Sequence, residues 1–167
     1  MSMESIKTDK LNEDARKPAV GAEGLFITAF SDGSYCPETR AWGVGIWVRD
    51  GEKPPITLSL GGIGYRKSSQ AEERGLLEVV NYIKQHCDYK NRVVVIQCDS
   101  SGALQKMDTS ALREAGLVKR KHVKGHTKHR NSRSSVNRKV DKLAGEQMNR
   151  YREIAKRQAR ELVAANQ

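Results

Sequence analysis

The chain has 167 residues, 37% of them hydrophobic, and a net charge of +10, so it has the length of one domain and can bury a core. No stretch approaches the roughly 18 consecutive apolar residues of a membrane-spanning helix, which excludes a membrane-spanning protein, and we expect no membrane partner. The positive charge favours a polyanionic partner, above all nucleic acid.

The basic residues are concentrated in the last third of the chain. Between Lys119 and Arg160 there are 15 lysines and arginines against three acidic residues, an excess larger than the net charge of the whole chain. We expect this segment to contact phosphates, with a solvated helix face as the alternative.

Cysteine usage indicates the cellular compartment. Cys36, Cys87 and Cys98 form no Cys-x-x-Cys pair, and the first 20 residues contain no apolar core. An odd number of cysteines without a secretion signal predicts reduced thiols and an intracellular, cytoplasmic location.

The predicted elements begin after a polar arm at residues 1–22. The stretch "FITAFSDGS" predicts a strand that ends at Asp32, with Asp32 and Gly33 as a turn pair. The stretches "AWGVGIWVRD" and "ITLSLGGIGY" predict two more strands. Short links between the three favour an antiparallel meander.

The pattern then becomes helical, with Ser68 or Ser69 as the N-cap of a first helix that extends to about residue 87. The apolar run "RVVVIQC" before Asp99 predicts a central strand buried on both faces. The remaining predicted elements are a short helix at 101–107, a fifth strand at 115–126, a basic loop at 127–135 and a long helix from Val136 onward.

This order, β-β-β-α-β-α-β-α, predicts an α/β domain with a mixed sheet at residues 23–150. The first three strands supply antiparallel pairs and the later crossovers supply parallel ones. Residues 151–167 are predicted to extend the last helix as a basic segment.

Acidic residues stand at the ends of two predicted strands and on two predicted helices. Asp32 and Asp99 follow apolar strands, and their tips become neighbours if both strands lie centrally in the sheet. Glu72, Glu73 and Asp141 lie on helices. Hard cations such as Mg²⁺ prefer oxygen ligands, and a pair of ions needs about four carboxylates. Taken singly, each acid also fits an ordinary helix-dipole, capping or solvent-facing role.

In this order the motifs "SDGS", "AEERGLLEV", "IQCDSSG", "VKGHTKH" and "NRKVDKLA" resemble ribonuclease H of the HI type over roughly residues 25–148. The resemblance implies a five-stranded mixed sheet with flanking helices. It also implies two bound Mg²⁺ ions, replaceable by Mn²⁺, held by Asp32, Glu72 (rather than Glu73), Asp99 and Asp141.

The same resemblance implies roles for further residues. His126 matches a histidine that assists proton transfer or product release, and Asn137 matches an asparagine that orients the site. The implied reaction is hydrolysis of the RNA strand of RNA–DNA hybrids, which leaves 5′-phosphate and 3′-hydroxyl ends, and we expect a monomer. The candidate substrate-binding residues are Gly33, Ser34, Ser69, Gln70, Ser100, Lys124 and Asn137.

Two other functions stay open at this point. One is a DNA nuclease of the same fold, of the junction-resolvase or transposase type, and the other is a nucleic-acid-binding module without activity. A zinc site on His122, His126 and His129 is disfavoured, because no cysteine lies nearby and a strand-to-loop position gives no natural tetrahedral spacing.

Overall fold

The computed structural model describes residues 24–124 and 132–167. The predicted N-terminal arm and His126 lie outside these ranges. The described residues contain β1 (Phe26–Cys36), β2 (Ala41–Asp50), β3 (Ile56–Ile63), α1 (Ser68–His86), β4 (Val93–Cys98), α2 (Ser101–Lys106), β5 (Leu117–His122) and α3 (Ser132–Ala165). This is the predicted order, with an additional 3₁₀ turn at Ser110–Leu112.

The five strands form one mixed sheet in the order β3-β2-β1-β4-β5. β1 pairs antiparallel with β2 and β2 with β3, whereas β4 runs parallel to both β1 and β5. The last parallel pair joins Ser31 to Cys98. Asp32 and Asp99 therefore come directly after the last residues paired between β1 and β4, so they lie side by side at the same edge of that pair, as predicted.

The prediction that the first strand ends in a turn at Asp32 was wrong. β1 continues to Cys36, and Asp32 and Gly33 pair with Gly45 and Val44 of β2. Only the pairing with β4 stops before Asp32. The antiparallel partner is longer than the parallel one, so it keeps the strand extended past the point where the sequence resembles a turn.

Two helix starts also differ from the prediction. α3 begins at Ser132 rather than Val136, since the preceding residues contain no glycine or proline that would stop a helix from extending. α1 is capped at Lys67 rather than at a serine. The Gln70 carboxamide oxygen accepts hydrogen bonds from the backbone N–H groups of Arg66 and Lys67, at 2.6 and 3.0 Å.

The sheet lies between two helical layers. On one face, Leu76 of α1 packs with buried side chains of the sheet that include Ile27, Val44, Ile46 and Ile96. On the other face, α3 covers a smaller cluster of Phe30, Trp47, Val123 and Val140. Within residues 24–124 and 132–167, no helix is both long enough and apolar enough to cross a membrane.

Glycines on β2 allow α3 to approach the sheet closely. A Cβ atom on Gly43 would collide with the carbonyl oxygen of Ala144, and one on Gly45 with the carbonyl oxygen of Val140. Because Gly43 and Gly45 lie on one side of a strand with a two-residue repeat, they form a shallow track under the helix. Asp141, the residue after Val140, is thereby held close to the sheet.

A buried arginine anchors the opposite end of the sheet. Arg92 is 1% exposed, and its guanidinium lies 2.5 Å from Asp50 Oδ1. It also donates to the carbonyl oxygens of Gly24 and Asp88, at 3.0 and 2.8 Å. One side chain therefore joins the start of β1, the end of β2 and the entrance to β4.

We expect Arg92→Met to lower the free energy of unfolding by about 3–5 kcal/mol, because it removes the buried partner of the Asp50 carboxylate and the donor to several carbonyl oxygens. Urea denaturation followed by circular dichroism measures this. Lys53→Met is the control, because Lys53 lies 3.8 Å from the same aspartate but its side chain is 45% exposed. That variant should change stability by less than about 1 kcal/mol. Equal losses in the two variants would contradict an anchoring role for Arg92.

Candidate metal centre

Asp32 occupies the middle of the candidate site. Its side chain is 5% exposed, and Oδ1 accepts a hydrogen bond from the Gly33 N–H at 2.9 Å. Burial, followed by the charges of Asp99 and Glu72 and a side-chain hydrogen bond with Asp141, raises the pKa of Asp32 to about 9. All three other candidate acids therefore act on this one carboxyl group.

Glu72 reaches the site because α1 begins directly against β1. A Cβ atom on Gly33 would lie 2.9 Å from the backbone nitrogen of Glu72, and one on Gly75 would collide with the Ser31 hydroxyl. Burial and the nearby Asp99 charge raise the pKa of Glu72 to about 7. Gly33 thus has a packing role that does not depend on substrate.

The structure separates the two adjacent glutamates. The Glu72 carboxylate lies 3.6 Å from the Cys98 thiol at the end of β4. Glu73 turns outward instead and lies 3.7 Å from Lys106 Nζ. Glu72 is therefore the glutamate that faces the other candidate ligands, and its role as a ligand stays a prediction.

Asp99 follows β4 at the carboxyl edge of the sheet. The next residue, Ser100, is the N-cap of α2, and its hydroxyl accepts a hydrogen bond from the Ala103 N–H at 3.2 Å. The ring nitrogen Nε2 of His122 lies 2.9 Å from the Asp99 carbonyl oxygen. Capping of α2 is thus performed by Ser100 and not by Asp99.

Asp141 approaches the site from the opposite face of the sheet. It lies in the third turn of α3, later than predicted, since the helix starts earlier than predicted. Its neighbour Val140 is fully buried against the sheet, and the Asp141 carboxyl group hydrogen-bonds with that of Asp32. The four acids therefore meet from β1, β4 and helices on both faces.

This donor set fits a hard divalent cation. Burial and mutual repulsion raise the pKa of Asp32 and of Glu72, so the acids are costly to hold together as anions. A divalent cation would offset that repulsion, and carboxylate oxygens are the ligands that Mg²⁺ and Mn²⁺ prefer. Ligand atoms of Glu72, Cys98 and Asp99 all lie within 4.8 Å of one another.

The predicted substrate-binding residues lie around this edge in different environments. Ser34 follows Gly33 on β1 and is partly exposed, and Ser69 is exposed in the first turn of α1. Gln70 caps the same helix through its side-chain oxygen. The Asn137 side chain donates to the carbonyl oxygen of the exposed Lys124 at 3.4 Å. Their contacts with substrate stay predictions, as does the role of His126.

Cys98 is the residue of this cluster that sequence reasoning missed. The available signal was its position, directly before Asp99 and at the end of a strand whose alternate residues face α1. We expected no cysteine near His122, and along the sequence none lies close to it. In the sheet, Cys98 is the register partner of His122. Burial, followed by the Glu72 carboxylate, raises the pKa of the Cys98 thiol above its usual range.

No protein-family model and no curated protein matches the sequence. Solved structures do match. RNase H1 of the halophilic archaeon Halobacterium salinarum NRC-1 is 18% identical, with a TM-score of 0.54, over 74% of this chain and 98% of that one. The N-terminal RNase H domain of Rv2228c from Mycobacterium tuberculosis is 16% identical, with a TM-score of 0.58, over 79% of this chain and 99% of that one.

A third match is LC11-RNase H1, solved in complex with an RNA/DNA hybrid. It is 15% identical, with a TM-score of 0.53, over 74% of this chain and 97% of that one. The chain therefore has an RNase H-like fold, as the resemblance implied. At these identities the comparison establishes the architecture, and the chemistry has to be argued from the residues.

Asp32→Asn should make the metal-free protein more stable at neutral and alkaline pH. Because the folded-state pKa of Asp32 is raised, its protonated form is favoured by folding, and stability is lost as pH rises from the ordinary 3.8 towards about 9. The amide removes that loss, so the variant should gain roughly 1–2 kcal/mol at pH 8 in a chelator.

Thermal melts from pH 4 to pH 9 test this expectation, because they give the difference in melting temperature between the variant and the wild type at each pH. The difference should shrink towards acidic pH. Added Mg²⁺ or Mn²⁺ should raise the melting temperature of the wild type more than that of Asp32→Asn. Glu73→Gln is the matched control and should follow the wild type in both respects. A difference in melting temperature that does not vary with pH would contradict the raised pKa of the buried Asp32.

Proposed function

We propose that this protein is a metal-dependent endonuclease that hydrolyses the RNA strand of RNA–DNA hybrids and leaves 5′-phosphate and 3′-hydroxyl ends. The observation that carries the proposal is the convergence of Asp32, Glu72, Asp99 and Asp141 at one edge of an RNase H-like sheet. Acidic side chains gathered around the buried Asp32 repel one another, and such a set is expensive to maintain unless it holds cations.

Each acid has a defined place in such a centre. Asp32 is central and can serve two ions, Glu72 and Asp99 lie on one side of it, and Asp141 lies on the other. Two Mg²⁺ ions held there would activate a water molecule and stabilise the leaving oxygen of an in-line displacement. The chain itself contributes rigidity, because each acid is fixed by a strand or by a helix packed on that strand.

A hybrid substrate is favoured by two considerations. LC11-RNase H1, which has the same fold, was solved with an RNA/DNA hybrid. In this chain, the small and partly exposed side chain of Ser34 borders the acidic edge, where it leaves room for the sugar edge of a bound strand. Hydroxyl-bearing Ser34 and Ser69 are candidates for contacts to 2′-hydroxyl groups, which distinguish RNA from DNA.

The assay that tests the proposal offers the pure protein four substrates in Mg²⁺ and in Mn²⁺: an RNA–DNA hybrid, double-stranded RNA, double-stranded DNA and a four-way DNA junction. We expect cleavage of the RNA strand of the hybrid, with 3′-hydroxyl ends. Cleavage of the junction alone would favour a resolvase instead. No cleavage of any substrate, together with tight binding, would favour a binding module.

Asp99→Asn should lower kcat on the hybrid by about 100- to 1,000-fold, because it removes a charged ligand from the centre. Glu73→Gln is the matched control, since it also replaces a carboxylate by an amide, one residue from Glu72. It should stay within about twofold of the wild type, because Glu73 points to Lys106. Equal losses in the two variants would show that the acidic edge is not the catalytic centre.

The basic last third of the chain should supply salt-sensitive, sequence-independent affinity. In Ca²⁺, binding of the hybrid should weaken steeply with added salt, and a variant with glutamine at Lys156, Arg157 and Arg160 should show a smaller salt slope. Each lost phosphate contact reduces the slope by about 0.7–0.9. Lys53→Gln is the control at the Arg92 end of the sheet. An unchanged salt slope in the triple variant would show that these three side chains are solvated and do not contact phosphates.

A further inference from the structure

Cys98 places a thiol among the candidate oxygen ligands. It is the last residue of β4, its side chain is fully buried, and Sγ lies 3.6 Å from Glu72 Oε2. Sγ also accepts a hydrogen bond from the Ser100 N–H at 3.4 Å. Contacts on both sides fix the sulfur at the edge of the metal centre.

The geometry of the group allows one ion to contact all three side chains. Ligand atoms of Glu72, Cys98 and Asp99 lie within 4.8 Å of one another, and they come from α1, from the end of β4 and from the residue after it. Among the described residues, this is the group of acids, cysteines and histidines compact enough to hold a metal ion. Two hard ligands and one soft ligand therefore share one position.

We infer that Cys98 determines the metal preference of this position: hard ions are held by the carboxylates alone, whereas thiophilic ions such as Zn²⁺ and Cd²⁺ also bind the sulfur and compete with Mg²⁺. The inference rests on the proposed function, because it assumes that Glu72 and Asp99 hold a divalent ion. It assigns to this chain a sensitivity to thiophilic metals that an all-oxygen site lacks.

The chemistry balances without an oxidant or reductant. When a thiophilic ion binds, the Cys98 S–H bond breaks, a metal–sulfur bond forms, and the proton is released to solvent. When Mg²⁺ binds, the thiol keeps its proton and continues to donate to Glu72. The same residue thus donates a hydrogen bond to the carboxylate in one case and binds the ion beside the carboxylates in the other.

The other two cysteines provide the means to test this directly. Cys36 and Cys87 are partly exposed and are absent from the metal-sized group. In the double variant Cys36→Ser/Cys87→Ser, Cys98 is the remaining thiol of the sequence. Any cadmium–thiolate bond in that protein must therefore involve Cys98.

Titration of the double variant with Cd²⁺ should produce the ultraviolet charge-transfer band of a cadmium–thiolate bond, at one ion per chain. Adding Asp99→Asn to the double variant should weaken Cd²⁺ binding about tenfold or more, since it removes a charged partner ligand. Absence of the band, or unchanged affinity with Asp99→Asn, would overturn the inference. Circular dichroism confirms that each variant is folded.

Activity gives a second, independent readout. In Mg²⁺, the concentration of Cd²⁺ that halves hybrid cleavage should rise about tenfold in Cys98→Ser, since a hydroxyl is a hard ligand, while the double variant should match the wild type. Equal inhibition in all three proteins would also overturn the inference. Failure to cleave the hybrid, with the charge-transfer band present, would count against the proposed function and leave the metal site standing.

Discussion

The candidate site depends on two close helix–sheet contacts, which form at glycines because a Cβ atom there would collide with the neighbouring element. Gly33 and Gly75 bring the first turns of α1 onto β1, and Gly43 and Gly45 bring α3 onto β2. These contacts fix Glu72 and Asp141 on opposite sides of Asp32. Since a carboxylate side chain is short, a shift of even one side-chain diameter would separate the ligands, so the glycines are as necessary to the centre as the acids.

The same closeness has an energetic cost. Burial, together with the charge of neighbouring carboxylates, raises the pKa of Asp32 and of Glu72, so the metal-free protein is destabilised where its function is proposed. Stability is supplied elsewhere, by the apolar layer under α1 and by Arg92 at the far end of the sheet. Such a division is expected of a site that must stay charged and accessible while the domain stays folded.

The order of elements followed from the sequence, and so did the choice of four candidate acids, because apolar runs, turns and an ordered set of motifs are local or linear signals. The extension of β1 past Asp32 did not follow, since an Asp-Gly pair resembles a turn unless the partner strand is known. The short distance between Cys98 and Glu72 could not be predicted from the sequence either. It depends on how a crossover places β4 beside β1, and no pattern along the chain reports that distance.

Charge is distributed so that metal and substrate binding must be linked. The chain carries +10 overall, yet its proposed catalytic edge is negative until cations occupy it. Without them, the acids would repel the phosphates that we propose the basic last third to bind. Cations at the edge would turn that repulsion into attraction. By linkage, a bound nucleic acid must then raise the affinity of the edge for its ions by the same factor as the ions raise the affinity for nucleic acid.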